Sequence, residues 1–417
     1  MQKMLVQGGH QLNGEVRASG AKNSSLPLLF STLLAEGEHV FHNVPDLMDI
    51  QSTASLLEYL GCKVQRDGST LRIQVPELKS FEAPYDLVRK MRASILCLGP
   101  LMSKYGQAKV SLPGGCAIGT RPIDLHLEAL KEMGAQIDVD AGYVFGKVTQ
   151  LKGAKLIFES PTVTGTENLM MAAALADGET IIENAAKEPE ISDLADYLNK
   201  MGAKVSGQGS SIIRIQGVSK LKPAEHEVIP DRIEVGTLLI AGAITGGQVT
   251  VKNCHPDDLD ALVSKMKESG IIVSADASSL TVHKQSGFKG VDVTTAPHPA
   301  FPTDLQAQFM ALMTQAEGTS VITETIFENR FMHVQELVRL NADITPKTRV
   351  AIVRGKPGGL TGAPVMATDL RASASLILAG LVAQGETEVH RIYHLDRGYE
   401  KMEQKLTQLG AQIHRKP

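Results

Sequence analysis

The hydrophobic positions of this 417-residue chain repeat one pattern six times. An apolar stretch with helical spacing ends at a glycine, a run rich in β-branched residues follows, and a second amphipathic stretch ends at a small-residue turn before a hairpin. These turns lie 68 to 73 residues apart, at Gly61, Gly134, Gly202, Gly270, Asn341 and Gly410. The pattern therefore predicts six α/β repeats of about 70 residues that fill the chain.

A glycine ends the first apolar stretch of each repeat, where it suits the left-handed C-cap of a helix, and the residues after it suit a strand. These glycines are Gly37, Gly106, Gly178, Gly247, Gly318 and Gly385. Each repeat is therefore predicted to run helix, strand, helix, strand, hairpin strand.

The sixth repeat lacks the closing strand of the others, whereas KMLVQGG, which begins at Lys3, has the missing pattern. Because an unpaired sheet edge promotes aggregation, we predict that this N-terminal strand completes the last repeat. Three repeats then form one domain over residues 20–229, and residues 1–19 and 230–417 form the other. The chain would cross from one domain to the other near residues 20 and 229. We expect these two crossings to form a hinge and the substrate to bind in a cleft between the domains.

The second repeat is the longest between its two glycines, with 28 residues from Gly106 to Gly134. The extra length falls in SLPGGCAIGTRPIDL, and functional residues collect in such loops. Cys116 lies there between small residues and five positions before Arg121, so we predict an accessible thiol whose thiolate is favoured by positive charge. The alternative, a buried packing cysteine, suits the other three, which are Cys62, Cys97 and Cys254.

Several basic residues stand in turns or at predicted helix starts, where backbone N–H groups also attract anions. Each one alone reads as a solvated surface residue, but their recurrence in several repeats predicts a site for a substrate with phosphate and carboxylate groups. They are Lys22, Arg92, Arg121, Arg371 and Arg397. Asp304 and Asp369 open two predicted helices; both suit N-caps, and either would act as a general base if it reached a substrate hydroxyl.

Composition narrows the class of protein. With 43% hydrophobic and 21% charged residues and a formal charge of −4, the chain is typical of a globular protein and lacks the basicity of a nucleic-acid binder. No apolar run approaches the roughly 18 residues of a membrane span, and the N-terminus lacks a signal-peptide core. The cysteines have no metal-ligand or disulfide spacing. We therefore expect a cytoplasmic protein with no metal site and no membrane or nucleic-acid partner.

Six ordered motifs carry a resemblance to a known family: SGAKNSSLP, LPGGCAIGTRPIDLH, FPTDLQAQ, ENRFMHV, ATDLRASASL and YHLDRGYE. They resemble the bacterial UDP-N-acetylglucosamine 1-carboxyvinyltransferases, which begin peptidoglycan precursor synthesis and so support cell wall biogenesis, cell shape and division. The resemblance implies two inside-out α/β domains, each of three repeats around buried helices. It also implies transfer of the enolpyruvyl group of phosphoenolpyruvate to UDP-N-acetylglucosamine with release of phosphate, and no cofactor.

The resemblance further implies the roles of particular residues. Phosphoenolpyruvate would be bound by Lys22, Asn23, Arg121, Arg371, Arg397 and Asp369. The sugar nucleotide would be bound by Arg92, Arg121, Pro122, Ile123, Asp124, Leu125, Thr162, Val163, Thr164, Asp304 and Ile326. Asp304 would take the proton of the sugar 3-hydroxyl, while Cys116 would protonate the methylene carbon, form a pyruvate adduct and react with fosfomycin. Catalysis would rest on Cys116, Asp304, Lys22 and Arg397. One segment departs from the family: PTVTGT has Thr164 where a glycine is expected.

Two other classes of protein remain to be distinguished. The shikimate-pathway enolpyruvyl transferase shares the six-repeat plan and the basic cluster, but it does not need a cysteine loop such as LPGGCAIGTRP. A DNA sliding clamp also has α/β repeats of about 70 residues, but a clamp needs Lys and Arg along its repeated helices to face phosphates. The stretches LLFSTLLAEG, LMMAAALADG and LLIAGAITGG contain neither. The sequence therefore favours the UDP-N-acetylglucosamine enzyme.

Overall fold

The computed structural model of the protein describes residues 2–89, 91–113 and 123–417. The chain divides into two compact units. Residues 20–113 and 123–229 belong to the first unit, and residues 2–19 and 230–417 belong to the second. The described residues form six four-stranded sheets, three in each unit. The repeat count and the mixed α/β class predicted from the sequence are thus confirmed.

The described residues form two kinds of regular element, of which strands are the more numerous. The strands are β1 Lys3–Gln7, β2 Asn13–Arg17, β3 Gly37–His42, β4 Lys63–Asp67, β5 Thr70–Val75, β6 Glu82–Ala83, β7 Gln107–Ser111, β8 Gln136–Asp140, β9 Tyr143–Lys147, β10 Lys155–Ile157, β11 Glu179–Glu183, β12 Lys204–Ser206, β13 Ile212–Gln216, β14 Glu225–Glu227, β15 Gln248–Lys252, β16 Val273–Asp276, β17 Ser279–Val282, β18 Val293–Thr294, β19 Gly318–Thr323, β20 Asp343–Lys347, β21 Val350–Gly355, β22 Pro364–Met366, β23 Glu386–His390 and β24 Gln412–Lys416. The α-helices are α1 Lys22–Ser31, α2 Met48–Leu60, α3 Tyr85–Val88, α4 Leu98–Tyr105, α5 Asp124–Glu132, α6 Val163–Ala173, α7 Pro189–Lys200, α8 Arg232–Ile244, α9 Asp260–Glu268, α10 Gln306–Met313, α11 Val334–Arg339, α12 Leu370–Val382 and α13 Met402–Gln408.

All six sheets have the same plan. In each, an edge strand runs parallel to the strand that follows the buried helix, and two antiparallel strands complete the sheet, as in the order β6-β7-β9-β8. In five of the sheets these two strands form a hairpin, whereas in the last they are β1 and β24. Parallel pairing requires a long crossover, and the helices α4, α6, α10 and α12 lie in such crossovers. The edge strands were not predicted from the sequence.

The N-terminal strand β1 lies inside the last sheet, in the order β22-β23-β1-β24. It pairs antiparallel with β23, where Met4 faces Val389, and with β24, where Met4 faces Arg415. Both long edges of β1 are therefore hydrogen-bonded. The prediction that the N-terminal strand completes the sixth repeat is confirmed.

Each unit is built around three helices, most of whose residues are buried. They are α1, α4 and α6 in the first unit and α8, α10 and α12 in the second, and every residue of α8 is buried. A helix that is apolar on all sides belongs in a core, and the prediction that LLFSTLLAEG, LMMAAALADG and LLIAGAITGG form the core is confirmed for the helices α1, α6 and α8. No helix formed by the described residues is long and apolar enough to cross a bilayer.

The repeated turns explain one irregularity of the sequence pattern. The turn residue of each repeat has a left-handed backbone, and Asn341 replaces glycine at φ 71° because asparagine tolerates that region better than other side chains. The first turn of the fourth repeat differs from the prediction: the left-handed residue is Gly246, at φ 66°, rather than Gly247.

Candidate functional site

Asp304 lies at the centre of a charged site in the second unit, within the 3-10 helix Thr303–Leu305. Its Oδ1 accepts a hydrogen bond from Nη2 of Arg330 at 2.7 Å, and its Oδ2 accepts one from Nη2 of Arg371 at 2.8 Å. The side chains of Arg330 and Arg371 are only 6% and 4% exposed, whereas that of Asp304 is 27% exposed. One carboxylate thus binds two buried guanidinium groups and remains open to solvent.

The two arginines decide the protonation state of Asp304. Burial alone would raise the pKa of the carboxyl, but the charges and hydrogen bonds of Arg371 and Arg330 hold that pKa well below its ordinary value. Both carboxylate oxygens are directed at arginines, and the N-cap of this 3-10 helix is Pro302, which forms no side-chain cap. The N-cap alternative is therefore wrong for Asp304.

Arg330 was missed by the sequence analysis as a functional residue. Its Nη1 donates to Oγ1 of Thr303 at 2.8 Å, and its guanidinium carbon lies 5.1 Å from the centre of the Phe327 ring. Arg330 therefore contacts two consecutive residues, Thr303 and Asp304. Arg330 stands in ENRFMHV, one of the six motifs that carry the family resemblance, and that motif is the one signal that could have pointed to it.

Glu324 connects this charged site to Ile326 and was also missed. The carboxylate of Glu324, 1% exposed, accepts hydrogen bonds from the hydroxyls of Thr295 and Thr303 at 2.9 and 2.8 Å. It also accepts from the backbone N–H groups of Ile326 and Phe327 at 2.8 and 3.2 Å. A buried carboxylate is stable only when hydrogen-bond donors surround its oxygens. Through these bonds Glu324 fixes the turn that contains Ile326.

Asp369 is the N-cap of α12. Its Oδ1 accepts from the backbone N–H groups of Arg371 and Ala372 at 2.8 and 3.0 Å, which supports the cap interpretation for this residue. The second residue of the helix, Arg371, is thereby placed to reach Asp304. Nη1 of Arg371 is buried and, among the described residues, has no hydrogen-bond partner. A buried guanidinium N–H left without an acceptor is suited to a ligand oxygen.

Arg397 ends the 3-10 helix Ile392–Arg397 and is half-buried. Burial lowers the pKa of His394, Arg397 lowers it further, and Asp369 opposes them. Because the charges of both Arg397 and Asp369 change the pKa of His394, these two predicted site residues lie close to the same imidazole in the second unit.

In the first unit, Lys22 is the first residue of α1, and its Nζ lies 2.9 Å from Oδ2 of Asp49. The side chains of Lys22 and Asp49 are 13% and 3% exposed. Lys22 is therefore fixed in a largely buried position, which rules out the alternative of a solvated surface lysine. Asn23 follows it in the first turn of α1.

A buried polar network fixes the start of α1 just after Asn23. The hydroxyl of Ser24 contacts the carboxylate of Asp193, and Nε2 of His226 lies 2.7 Å from the other oxygen of that carboxylate. Nζ of Lys200 lies 2.9 Å from Nδ1 of His226. Because an ammonium group only donates, Nδ1 accepts and Nε2 carries the proton that it donates to Asp193. The network positions α1.

Thr162 is the N-cap of α6 and accepts from the backbone N–H of Gly165 at 3.2 Å. A Cβ at Gly165 would lie 2.4 Å from Cγ2 of Thr162, so any larger residue at position 165 would displace the N-cap side chain. Oγ1 of Thr164 lies 3.5 Å from Nε2 of the buried His126. Burial lowers the pKa of His126 to about 4, and the charge of Arg92 contributes.

The remaining predicted contacts of the sugar nucleotide lie on the same unit. Arg92 begins the 3-10 helix Arg92–Cys97, and Val163 is the first residue of α6. Ile123 is buried beside the start of α5, where Asp124 is exposed and Leu125 is half-buried. Arg92 and Thr164 both neighbour His126, which places these two near each other.

Three predicted site residues, Cys116, Arg121 and Pro122, lie outside the described residues. The structure does bear on the other thiols. Burial raises the pKa of Cys62 and Cys97 to about 12 and that of Cys254 to about 11. Since only a thiolate is a strong nucleophile, these three cysteines are packing residues, as predicted.

Over nearly its whole length the chain is similar to enolpyruvyl transferases. The chain matches the family EPSP synthase (3-phosphoshikimate 1-carboxyvinyltransferase) over residues 6–406. The crystal structure of the enolpyruvyl transferase NikO from Streptomyces tendae is 25% identical, with a TM-score of 0.90 over 99% of this chain and 98% of that one. EPSP synthase from Acinetobacter baumannii, at 19% identity and a TM-score of 0.78 over the whole of both chains, shares the fold.

Curated relatives define the branch of the family. The UDP-N-acetylglucosamine 1-carboxyvinyltransferase of Bdellovibrio bacteriovorus is 66% identical over 99% of this chain and 100% of its own length. The enzyme of the same name from Myxococcus xanthus is 56% identical over 100% of this chain and 99% of its own. The chain belongs to the UDP-N-acetylglucosamine 1-carboxyvinyltransferase family.

Proposed function

We propose that this protein transfers the enolpyruvyl group of phosphoenolpyruvate to the 3-hydroxyl of UDP-N-acetylglucosamine and releases phosphate, the first committed step of peptidoglycan precursor synthesis. The observation that carries the proposal is full-length identity of 55–66% to relatives named for this activity. Both substrates are small molecules of the cytoplasm, so the enzyme is placed there. A formal charge of −4 argues against a nucleic-acid partner.

Phosphoenolpyruvate carries a phosphate and a carboxylate and therefore needs several cationic groups. The proposed set is Lys22, Asn23, Arg121, Arg371, Arg397 and Asp369. Two observations support it: the fixed, largely buried ammonium of Lys22, and the buried Nη1 of Arg371, which has no acceptor within the described part of the chain. Asp369 acts indirectly in this set, because it caps the helix that positions Arg371.

The sugar nucleotide is assigned a longer set of contacts, consisting of Arg92, Arg121, Pro122, Ile123, Asp124, Leu125, Thr162, Val163, Thr164, Asp304 and Ile326. The buried anchors of two members support it. Glu324 holds the backbone N–H of Ile326, and the cap bond of Thr162 holds the first turn of α6. Such anchoring preorganises binding groups and reduces the entropy lost when a ligand binds.

In the proposed reaction Asp304 accepts the proton of the 3-hydroxyl while that oxygen forms a bond to C2 of phosphoenolpyruvate. Cys116 donates a proton to C3, which gives a tetrahedral adduct. The adduct then loses phosphate from C2 and a proton from C3, which restores the double bond. Lys22 and Arg397 stabilise the charge on the phosphate and carboxylate during both steps.

Phosphate release from phosphoenolpyruvate tests the proposal directly. The purified enzyme should release phosphate with UDP-N-acetylglucosamine as acceptor and not with shikimate 3-phosphate, and mass spectrometry should detect the enolpyruvyl sugar nucleotide. Release with shikimate 3-phosphate alone would assign the chain to the other enolpyruvyl transferase reaction. Release with neither acceptor, from folded protein, would refute the proposed function.

A further inference from the structure

We propose that Arg330 is a positioning residue for this reaction, one that fixes both the direction and the charge of the Asp304 carboxylate. The inference rests on the proposed function in so far as it takes Asp304 as the general base. It concerns a residue of the second unit that forms no part of the substrate-binding sets above.

The guanidinium of Arg330 is held on three sides. One nitrogen binds Asp304, a second binds the hydroxyl of Thr303, and the ring of Phe327 lies 5.1 Å from the guanidinium carbon. Thr303 in turn donates to the buried Glu324. Because the guanidinium is planar with donors in a rigid fork, these contacts leave it one orientation, and the orientation of Asp304 follows from it.

The ion pairs at Asp304 are unequal in charge, because two arginines bind one carboxylate. A buried ion pair normally matches one anion with one cation, because unpaired charge in the interior is costly. Here two guanidinium groups, 6% and 4% exposed, share the single carboxylate. The excess positive charge stabilises the ionised form of Asp304 and leaves Arg371 able to bind a substrate anion while Arg330 keeps the carboxylate in place.

Other charged groups around the pair do not replace Arg330. His333 faces Arg330, but burial lowers its pKa to about 4, so it is neutral near pH 7. Asp369 acts on His333, and Asp231 and Tyr399 act on Arg371. Glu324 is engaged by four hydrogen-bond donors and reaches Arg330 only through Thr303.

Two consequences distinguish a positioning role from a purely structural one. Without Arg330, the carboxylate keeps only Arg371, so its proton affinity should rise; a neighbouring arginine typically lowers an aspartate pKa by roughly one to three units. The carboxylate would also lose its fixed direction, and small misplacements of a catalytic group cost roughly 100-fold in rate. Turnover should therefore fall, and activity should be lost at a higher pH as the solution is acidified.

The experiment compares Arg330→Gln and Arg330→Lys with Arg354→Gln. Arg354 is a matched control in the same repeat, because its removal changes the charge equally but affects only exposed contacts, with Asp343 and the hydroxyl of Thr345. The readouts are kcat and KM across pH, and the titration of the Asp304 carboxyl by NMR of 13C-labelled aspartate in the free enzyme, assigned with Asp304→Asn. Circular dichroism checks that each variant is folded.

In Arg330→Gln we expect the Asp304 carboxyl to titrate at least one pH unit higher than in the wild type. The kcat of this variant should fall about 100-fold, whereas its KM for phosphoenolpyruvate should stay within a few-fold of wild type. Arg330→Lys should fall between this variant and wild type, and Arg354→Gln should match wild type. If Arg330→Gln does not fold, the Lys variant decides. An unchanged Asp304 titration in the folded variants would overturn the inference. If instead the wild-type enzyme releases no phosphate from phosphoenolpyruvate and UDP-N-acetylglucosamine, only the proposed function is overturned.

Discussion

Replacing Asp304 by asparagine removes the proposed base and also the only described anion in contact with two buried arginines. Asparagine has nearly the same shape, but its amide nitrogen would face one of the guanidinium groups as donor against donor. Removing one partner of a buried ion pair typically costs about 3–5 kcal/mol. Since Asp304 is 27% exposed, we expect the lower end, about 3 kcal/mol.

The loss should be visible in unfolding experiments. For a unit of about 200 residues, each kcal/mol changes Tm by roughly 2–4 °C, so Asp304→Asn should lower Tm by roughly 6–12 °C. The double variant Asp304→Asn with Arg330→Gln has one fewer unpaired buried charge and should recover at least about 1 kcal/mol of this loss. Independent effects of the two substitutions would refute the argument from buried charge.

Turnover gives the second measurement on Asp304→Asn. Loss of a general base typically lowers kcat by roughly 10²–10⁴-fold, and phosphate release at a temperature well below the variant's Tm measures it on folded enzyme. Turnover within a few-fold of wild type would show that Asp304 is not the base, whatever its effect on stability.

Three further predictions concern other parts of the chain. Glu324→Gln should raise the KM for UDP-N-acetylglucosamine about tenfold in steady-state assays, because the turn of Ile326 loses part of its anchor; Glu328→Gln, at an exposed pair, should not. Fosfomycin should add to Cys116 and to none of the three buried cysteines, and peptide mass spectrometry that found the adduct elsewhere would contradict this. The folded-state pKa of His126 is lowered to about 4, so the unfolded chain binds the extra proton and stability should fall by up to about 3 kcal/mol from pH 6.5 to 4. Urea unfolding across pH should show a weaker dependence in His126→Gln.

The repeated architecture was predictable because it depends on local chemistry. Left-handed turn residues and helical spacing are visible in the chain itself, and Asn341 followed the same rule as the glycines. The edge strands were not predicted, because elements of two or three residues such as β6 and β10 have no periodicity to recognise. The left-handed position was assigned to Gly247 instead of Gly246 because either of two adjacent glycines can adopt a positive φ.

The candidate site was predictable only in part, because its contacts are distant in sequence. Asp304 and Asp369 stand in the similar motifs PTDLQ and ATDLR, yet Asp369 caps its helix and Asp304 binds arginines. Those arginines lie 26 and 67 residues further along the chain, and nothing in a local pattern reveals which of two similar carboxylates they reach. Arg330 by itself reads as a surface residue, and only the fold shows that it is buried.

The position of β1 also has a consequence for the order in which the protein is made. Among the described strands, β1 is synthesised first, whereas its partners β23 and β24 are synthesised last. The three sheets of the first unit use only strands between residues 37 and 227, so that unit is complete on the ribosome long before the other. The second unit must keep β1 unpaired until β23 has been made, and its last sheet closes only when β24 has emerged.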